Sequence, residues 1–402
     1  MTSEWNHSTI NDVCVLVTDG SHSSPKSVND GEYMVSVKDF TDYGFDFASC
    51  RMISHDDYET LKRNGCVPQI DDILIGKDGA RFFEDIIIYR QREKPALLSS
   101  IAILRCDKSK ILPDFLYYVL RTPSFRQDVK DNYGSGSAIP RIILKDFKRM
   151  MVSYPSLEKQ QSIISVLTAI DRKIQANTEI NDNLQQQAQA IYHERFETVS
   201  PNDLPSDWRI VTLGEVATIS NKSFNPLKEP EILLEHYSIP AFDEARFPVF
   251  ELSTSIKSNK FIIDASCFMI SKLNPTTKRV WKPYCLTGNA VCSTEFIVYK
   301  AKDNTITDFL YSVIDSNSFS DFMCSHVTGS TGSRQRTTPS DTLAYELILP
   351  SEDELAEFQS LVSPMYAQIR INAIENDRLK RLRDSLLPKL MSGEIDVSDI
   401  QL

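Results

Sequence analysis

The sequence DFLYYVLRTPSF at residues 114–125 returns as DFLYSVIDSNSF at residues 308–319. Seven of the twelve positions are identical, at an offset of 194 residues. A second match joins IQANTEINDNL at 174–184 with IRINAIENDRL at 369–379, where five of eleven positions are identical at an offset of 195. A nearly constant offset indicates that one unit of about half the chain is duplicated, which is far too long a period for a solenoid.

Each copy has the order of a strand-rich segment followed by a long helix. Apolar runs rich in β-branched and aromatic residues predict strands within residues 67–75, 83–89, 261–270 and 296–299. The repeated motif predicts one short helix in each copy, with Asp114 and Asp308 near the N-caps. The segments expected are residues 1–155, 156–200, 201–350 and 351–402, alternately globular and helical.

The helical segments carry a sustained heptad pattern. Apolar residues recur every three or four positions from Ile163 to Ile191, and the same positions recur 195 residues later, where only Arg383 interrupts them. A helix over residues 157–197 would be about 60 Å long at 1.5 Å per residue. Such a helix needs a partner for its apolar stripe, and the second copy supplies one. The alternative is that each helix packs only on its own globular segment.

Two asparagines occupy neighbouring seam positions in each helix. They are Asn177 and Asn181 in the first, and Asn372 and Asn376 in the second. A buried amide fixes the register because it must find a polar partner. In an antiparallel pair, facing residue numbers have a constant sum, which pairs Asn177 with Asn376 and Asn181 with Asn372. The predicted fold class is therefore α+β and internally duplicated, with two strand-rich mixed domains joined by two long antiparallel coiled-coil helices with pseudo-twofold symmetry.

Composition limits the class of protein. The chain has 402 residues, 41% hydrophobic, which predicts two to three packed domains. Its net charge of −11 lowers the expectation of DNA binding without excluding it, because residues 1–155 carry 20 basic and 22 acidic side chains and so leave room for a local basic face. The eight cysteines form no CxxC pair. No signal peptide or membrane-length apolar run is visible, so we expect a cytoplasmic location.

The sequence shows no catalytic or metal motif. The segment at Gly76 and Lys77 lacks the upstream glycine and the hydroxyl residue of a phosphate loop. The six histidines have no metal-ligand spacing. Asp71 and Asp72, followed by Lys77, do not have the spacing of a nuclease site and are better explained as a solvated turn. We therefore predict a non-catalytic chain.

A binding chemistry remains, in a Gly/Ser-rich loop that recurs in both copies. Residues 134–141 read GSGSAIPR and residues 329–336 read GSTGSRQR. Arginine can bind guanine, and glutamine adenine, through two hydrogen bonds, while hydroxyls and backbone amides contact phosphates. A second basic cluster lies near Trp281, with counterparts in the first copy. The predicted contact residues are Ser135, Ser137, Arg141, Lys145, Lys77, Arg81, Lys272, Lys278, Arg279, Ser330, Thr331, Ser333, Arg334, Gln335 and Arg336. Either loop alone is better explained as an ordinary solvated loop, and its recurrence at the same place in both copies makes DNA contact about equally good as an explanation.

These features resemble the specificity subunits of type I restriction-modification systems. The resemblance covers nearly the whole chain, and its most specific parts are YPSLEKQQSI at residues 154–163 and LRDSLLPKLMSGEI at residues 382–395. It implies that the two globular segments are target recognition domains, each reading half of a bipartite asymmetric DNA sequence. It also implies that residues 330–336 and 135–141 face DNA. The second helix departs from the pattern at its start, where residues 352–357 read EDELAE.

The resemblance further implies partners that perform the chemistry. The helices would dock two methyltransferase subunits, and restriction subunits would join that core. No cofactor is expected on this chain; S-adenosylmethionine would belong to the methyltransferase, and ATP with Mg²⁺ to the restriction subunit. A specificity chain of a related bifunctional restriction-methylation enzyme, or an orphan copy, remains an alternative within this class. A coiled-coil scaffold that binds protein instead of DNA is the alternative from another class.

Overall fold

A computed structural model describes residues 5–79, 81–134, 140–328 and 335–397. The chain divides into two compact units. Unit 1 comprises residues 1–172 and 380–402, and unit 2 comprises residues 173–379. Each unit therefore combines one globular segment with parts of both long helices.

Unit 1 contains eleven strands in its described part, most of them short. Antiparallel pairs predominate, and β3 pairs with β9 in parallel. The strands are β1 (Asn6–Thr9), β2 (Cys14–Asp19), β3 (Glu32–Val35), β4 (Phe40–Thr41), β5 (Gly44–Phe45), β6 (Arg51–Ile53), β7 (Ile73–Gly76), β8 (Ile86–Ile88), β9 (Ala96–Leu97), β10 (Ile101–Cys106) and β11 (Met151–Tyr154). The helices that begin in this unit are α1 (Ile10–Val13), α2 (His55–Arg63), α3 (Pro113–Arg121), α4 (Pro123–Asn132), α5 (Leu144–Arg149) and α6 (Leu157–Tyr192).

Unit 2 begins within α6, which ends in a π-helical turn at His193–Glu197, and a similar series of elements follows. Its described strands are β12 (Arg209–Thr212), β13 (Ala217–Ile219), β14 (Ser223–Phe224), β15 (Leu233–Tyr237), β16 (Val249–Leu252), β17 (Lys260–Ile262), β18 (Cys267–Ser271), β19 (Val280–Trp281), β20 (Ala290–Ser293), β21 (Phe296–Ala301), β22 (Val327–Thr328), β23 (Arg336–Thr337) and β24 (Glu346–Leu349). Its helices are α7 (Leu213–Val216), α8 (Ile239–Ala245), α9 (Thr307–Ile314), α10 (Asn317–Ser325) and α11 (Glu352–Ser392), the last of which ends in unit 1.

The two units share their central topology. A four-stranded antiparallel sheet has the order β2-β10-β7-β8 in unit 1 and β13-β21-β18-β19 in unit 2. The strand before the first short helix pairs with the strand before the following long helix in both, β1 with β11 and β12 with β24. The second sheets differ in size, with three strands in unit 1 and five in unit 2. The α+β fold class and the internal duplication predicted from the sequence are confirmed.

The repeated motif forms two helices in each unit, where the sequence predicted one. In unit 1, Thr122 adopts an extended conformation between α3 and α4, and its hydroxyl accepts a hydrogen bond from the backbone N–H of Phe125. Pro123 follows it, and a residue before proline disfavours the helical conformation. In unit 2, Ser316 caps α10 in the same way, accepting from the N–H of Phe319. The prediction missed that these hydroxyl residues are N-caps.

Residues 261–270, predicted as one strand, belong to two different sheets. Lys260–Ile262 pairs in the five-stranded sheet, and Cys267–Ser271 is a central strand of the four-stranded sheet. Asp264 separates them and accepts hydrogen bonds from the backbone N–H and the hydroxyl of Ser266. This local turn breaks an apolar run that the sequence pattern read as continuous.

Apolar cores join each sheet to the helices. In unit 1, Phe115 and Leu116 on α3 belong to one cluster with Ile163 and Leu167 on α6 and Leu390 on α11. In unit 2, the corresponding cluster is aromatic, with the rings of Tyr192, Phe196, Phe309 and Phe358 packed edge to face or tilted against one another. The seam positions therefore bury against both the partner helix and the globular part of the same unit, so the two packing modes considered from the sequence coexist.

The asparagines of unit 2 pair in the predicted register. The side-chain N–H of Asn177 donates to the amide oxygen of Asn376 at 2.9 Å. The side-chain N–H of Asn372 donates to the amide oxygen of Asn181, also at 2.9 Å. Asn177 and Asn372 are buried, with 1% and 4% of their surface exposed. Glu375 accepts a second hydrogen bond from Asn177 at 2.7 Å, so these amides are well satisfied in the antiparallel pair.

Arg383, the residue that interrupts the second heptad pattern, has a partner in unit 1. Its Nη1 lies 2.8 Å from Asp171 Oδ1 on α6, and both side chains are 17% exposed. Tyr118 on α3 donates its hydroxyl hydrogen to the other carboxylate oxygen of Asp171 at 2.7 Å. An ion pair thus replaces an apolar contact at this position. Within the described residues, no helix is long and apolar enough to cross a membrane.

Candidate nucleic-acid interface

The two Gly/Ser-rich loops rejoin their units at equivalent places. In unit 1, Arg141 forms an isolated β-bridge with Asp78, just after β7. The N–H of Ile142 donates to the carbonyl of Lys77 at 3.0 Å, and the N–H of Gly79 donates to the carbonyl of Pro140 at 3.0 Å. The end of the first loop is therefore fixed beside the end of a central strand.

Unit 2 repeats this arrangement residue for residue at an offset of 195. Arg336 forms the β-bridge with Leu273, just after β18. The N–H of Thr337 donates to the carbonyl of Lys272 at 3.1 Å, and the N–H of Asn274 donates to the carbonyl of Gln335 at 2.9 Å. The sequence predicted that the loops recur, but not that their ends are held by backbone hydrogen bonds to the turn after the central strand.

The arginine at the end of each loop is also held by an acid. Arg336 donates from Nε and Nη2 to the two carboxylate oxygens of Glu295, at 3.0 and 3.1 Å. These hydrogen bonds and the charge of Glu295 raise the pKa of Arg336. Arg141 Nε lies 3.7 Å from Asp78 Oδ1. Both arginines remain partly exposed at the edge of the loop, so each anchors its loop while keeping part of its guanidinium at the surface.

Lys77 and Lys272 are equivalent by number but not equally placed. Lys77 is buried, and its ammonium lies 3.2 Å from the carboxylate of Asp19 and 3.9 Å from that of Asp78. Because the ammonium group is buried and faces two carboxylates, it is poorly placed to contact a DNA phosphate. Lys272 is half-buried. The geometry thus gives little support to the predicted DNA contact at Lys77.

The basic cluster near Trp281 is largely neutralised within unit 2. Lys278 lies 3.2 Å from the carboxylate of Asp315, and Arg279 donates to both oxygens of Asp243 at 2.6 and 2.9 Å. Burial raises the pKa of Asp315, and Lys278 counteracts this. The side chain of Arg279 is only 13% exposed. These cations therefore stabilise the fold locally, and the sequence could not show this because their acidic partners lie 36 and 37 residues away.

Of the remaining predicted residues, three lie in the described part of the chain and six do not. Lys145 and Arg81 are exposed in unit 1, and Arg81 lies 2.9 Å from Asp85. Gln335 is half-buried and is held through its backbone carbonyl. The predicted residues Ser135, Ser137, Ser330, Thr331, Ser333 and Arg334 lie outside the described residues. Within the described part, no group of three or more His, Cys, Asp or Glu side chains is placed to hold a metal ion.

Comparisons with known proteins point to one family. The model of the type I restriction modification DNA specificity domain matches residues 2–186. The chain is 25% identical over 322 residues to the type I restriction enzyme MjaIX specificity subunit of Methanocaldococcus jannaschii, covering 73% of this chain and 71% of that protein. It is 23% identical over 369 residues to the type I restriction enzyme HindI specificity subunit of Haemophilus influenzae, covering 73% and 80%.

The fold agrees with these relationships. The crystal structure of a type I restriction-modification system S subunit from M. genitalium is similar over 96% of both chains, with a TM-score of 0.55 and 15% sequence identity. At that identity the likeness concerns the fold alone. The matched residues 2–186 cover the first copy of the duplicated unit. The second copy has the same order of strands in its four-stranded sheet. Residues 2–186 therefore match the type I restriction modification DNA specificity domain, and the chain is similar over 73% of its length to type I restriction enzyme specificity subunits.

Proposed function

We propose that this chain reads a bipartite, asymmetric double-stranded DNA sequence, with one half-site read by each unit. The observation that carries this proposal is that the same loop arrangement occurs twice with different chemistry. Arg141 follows Ile139 and Pro140, whereas Arg336 follows Arg334 and Gln335. Two equivalent surfaces with different side chains would select two different base sequences, and the target would then not be a palindrome.

The strand end and the loop would divide the task of recognition. The turn after β7 or β18 fixes where the loop ends, because backbone hydrogen bonds hold Pro140 and Gln335 there. Backbone amides and hydroxyls of the loop would contact phosphates and set the position on DNA, and the arginine and glutamine side chains would read base edges. The net charge of −11 supports a contribution of partner subunits to the nonspecific attraction for DNA.

We further propose that the chain directs partner subunits to this target in the cytoplasm. Duplicated helices offer two similar docking faces, which suits two copies of a methyltransferase subunit. Restriction subunits would join the resulting complex. S-adenosylmethionine would then be bound by the methyltransferase, and ATP with Mg²⁺ by the restriction subunit, leaving this chain without a chemical step of its own.

Single-molecule methylome sequencing tests this function. A host would be compared with and without this gene, with the neighbouring genes left intact. We expect one bipartite adenine-methylation motif to disappear with the gene and to return when the gene is supplied on a plasmid. An unchanged methylome, in a host that expresses the chain and a methyltransferase that co-purifies with it, would contradict the proposal.

A further inference from the structure

Unit 1 contains a cavity of about 350 Å³ beside the end of α3 and the start of α4. Its charged lining residues are Arg121, Arg126, Arg383 and Asp384. Pockets for small ligands in proteins begin at about 300 Å³ and bring a few polar groups together within an otherwise apolar wall. Three of the four charged lining residues are basic, so the cavity favours a negatively charged ligand.

Arg383 is already occupied by carboxylates. It donates to Asp171 at 2.8 Å and to Asp384 at 3.0 and 2.9 Å. Arg121 and Arg126 have no carboxylate within ion-pair distance among the described residues. Arg121 donates to the hydroxyl of Tyr117 and lies 4.8 Å from the centre of that ring. Two neighbouring guanidinium groups in this cavity therefore lack a direct ion pair in the described part of the chain, although Glu84 and Asp85 lie close enough to act electrostatically on Arg126.

Arg126 is in a less favourable electrostatic environment than Arg121. Its Nη2 donates to the backbone carbonyl of Glu84 at 3.3 Å. Its Nε is buried and has no hydrogen-bond partner among the described atoms. Burial lowers the pKa of Arg126, and the neighbouring charge of Arg121 lowers it further. A buried donor without an acceptor and a pair of like charges are both unfavourable, and one anion placed between them would relieve both.

Unit 2 shows that the fold does not require this arrangement. The residues equivalent by offset to Arg121, Arg126 and Arg383 are Asp315, Ser320 and Ala188. Asp315 is buried, accepts a hydrogen bond from Gln185 and lies 3.2 Å from Lys278. The corresponding place in unit 2 therefore contains an acid and its own cation. The shared topology therefore does not require arginines at these positions, and the arginine lining is specific to unit 1.

We propose that this cavity of unit 1 binds a phosphate group through Arg121 and Arg126. Guanidinium groups match phosphate oxygens with paired hydrogen bonds, and Arg126 Nε supplies a donor that the described atoms leave unused. Arg383 would border the site while remaining paired with Asp171. The phosphate comes either from a small phosphorylated molecule or from the DNA backbone. The inference concerns a site separate from the Gly/Ser-rich loops and does not depend on the proposed reading of bases.

Titration calorimetry of the full-length chain with inorganic phosphate tests the site. We expect saturable binding of one phosphate per chain, weakened about tenfold or more by Arg126→Gln and by Arg121→Gln. Arg126→Lys keeps the charge but loses the paired donors, so we expect an intermediate affinity. The control Arg63→Gln alters an exposed arginine on α2 and should leave the affinity unchanged.

A thermal melt separates loss of binding from loss of folding. Phosphate should raise the Tm of the wild-type chain and of Arg63→Gln, but not that of Arg126→Gln. No saturable binding by the wild-type chain, or equal phosphate affinity in folded Arg126→Gln, would overturn the proposal.

Competition identifies the source of the phosphate. Displacement of inorganic phosphate by a duplex DNA lacking the target would assign the site to the DNA backbone, and displacement by a mononucleotide alone would assign it to a small molecule. Methylome sequencing of a strain that carries Arg126→Gln shows whether loss of phosphate binding also affects the proposed DNA recognition. An unchanged methylation motif together with lost phosphate binding would leave both inferences standing.

Discussion

Arg336 shows how one side chain can be predicted correctly in position and incompletely in role. The sequence placed it at the end of a donor-rich loop, and the structure places it there, on a β-bridge to Leu273. It also donates twice to Glu295, which lies 41 residues away in the turn between β20 and β21. The acid could not be chosen from the sequence, because only the pairing of strands brings this turn beside the loop.

Arg334 and Arg336 should therefore respond differently to substitution. We expect Arg334→Ala to weaken recognition of one half-site by about 1–3 kcal/mol, because it removes a side chain proposed to make paired hydrogen bonds with a base. The measurement is methylation of duplexes that carry single-base changes in each half-site. Equal discrimination at every position by wild type and Arg334→Ala would contradict the base-reading role.

Glu295→Gln tests the anchoring role without replacing any residue proposed to contact DNA. The amide loses the negative charge and one acceptor for Arg336, so the end of the loop should be held less firmly and discrimination at that half-site should fall. Glu229→Gln, at an exposed position of the same unit, is the matched control. If the complex assembled with Glu295→Gln methylates all single-base variants as the wild-type complex does, Arg336 is not an anchor for recognition.

At the scale of elements, a short helix is joined to a long helix by a side-chain hydrogen bond in each unit, from α3 in unit 1 and from α9 in unit 2. The larger side chain lies on the short helix in unit 1 and on the long helix in unit 2. Tyr118 donates to Asp171 at 2.7 Å in unit 1. In unit 2 the equivalent positions are Ser312 and Tyr366, with their hydroxyls 2.7 Å apart. A large residue on the short helix and a small one on the long helix are thus replaced by the reverse, which keeps the contact at similar volume.

These hydrogen bonds should contribute measurably to stability. We expect Tyr118→Phe and Ser312→Ala each to lower the free energy of unfolding by about 1 kcal/mol, with the larger effect at Tyr118 because its acceptor is charged. Urea unfolding of the full-length chain measures this. Ser360→Ala, at an exposed position of α11, is the control for the serine and should have little effect. Stabilities of both variants equal to wild type would show that these contacts contribute nothing.

The asparagine pairs predict a coupled response in the helices. Asn177→Leu leaves the amide oxygen of Asn376 without its donor and removes one donor from Glu375, which keeps Lys173, and we expect it to cost about 1–3 kcal/mol. The double variant Asn177→Leu/Asn376→Leu removes both amides and should recover much of that loss, since polar seam residues fix register at a cost in stability. A double-mutant cycle measured by urea unfolding checks this, and additive losses would contradict the pairing.

Much of the element-scale structure could be predicted because its signals are local or repeated. The heptad spacing fixed the antiparallel register, since only one sum of residue numbers pairs all four asparagines. The break between Phe115 and Phe125 was missed because Thr122 was not recognised as an N-cap. The ion pair of Arg383 was also missed, because Asp171 lies 212 residues away on the other long helix. Long-range polar partners are what a local pattern does not contain.

At the scale of the whole molecule, the duplication separates what the units share from what they do not. They share the order of the four-stranded sheet and the attachment of the Gly/Ser-rich loops. They differ in loop chemistry, in the size of the second sheet and in the arginine-lined cavity of unit 1. The shared part is expected to serve folding and assembly, and the differing part to give each unit its own ligand. The sequence predicted the duplication, and each compact unit contains parts of both long helices.

The central claim is that each unit reads its own half-site, and exchange of one globular segment tests it most directly. Residues 201–350 would be replaced by the corresponding segment of a specificity subunit with a known, different target, and the methylome of the strain would be sequenced. The account predicts a new bipartite motif in which one half is replaced and the other half is retained. A motif in which both halves change, or one identical to that of the wild-type chain, would contradict it.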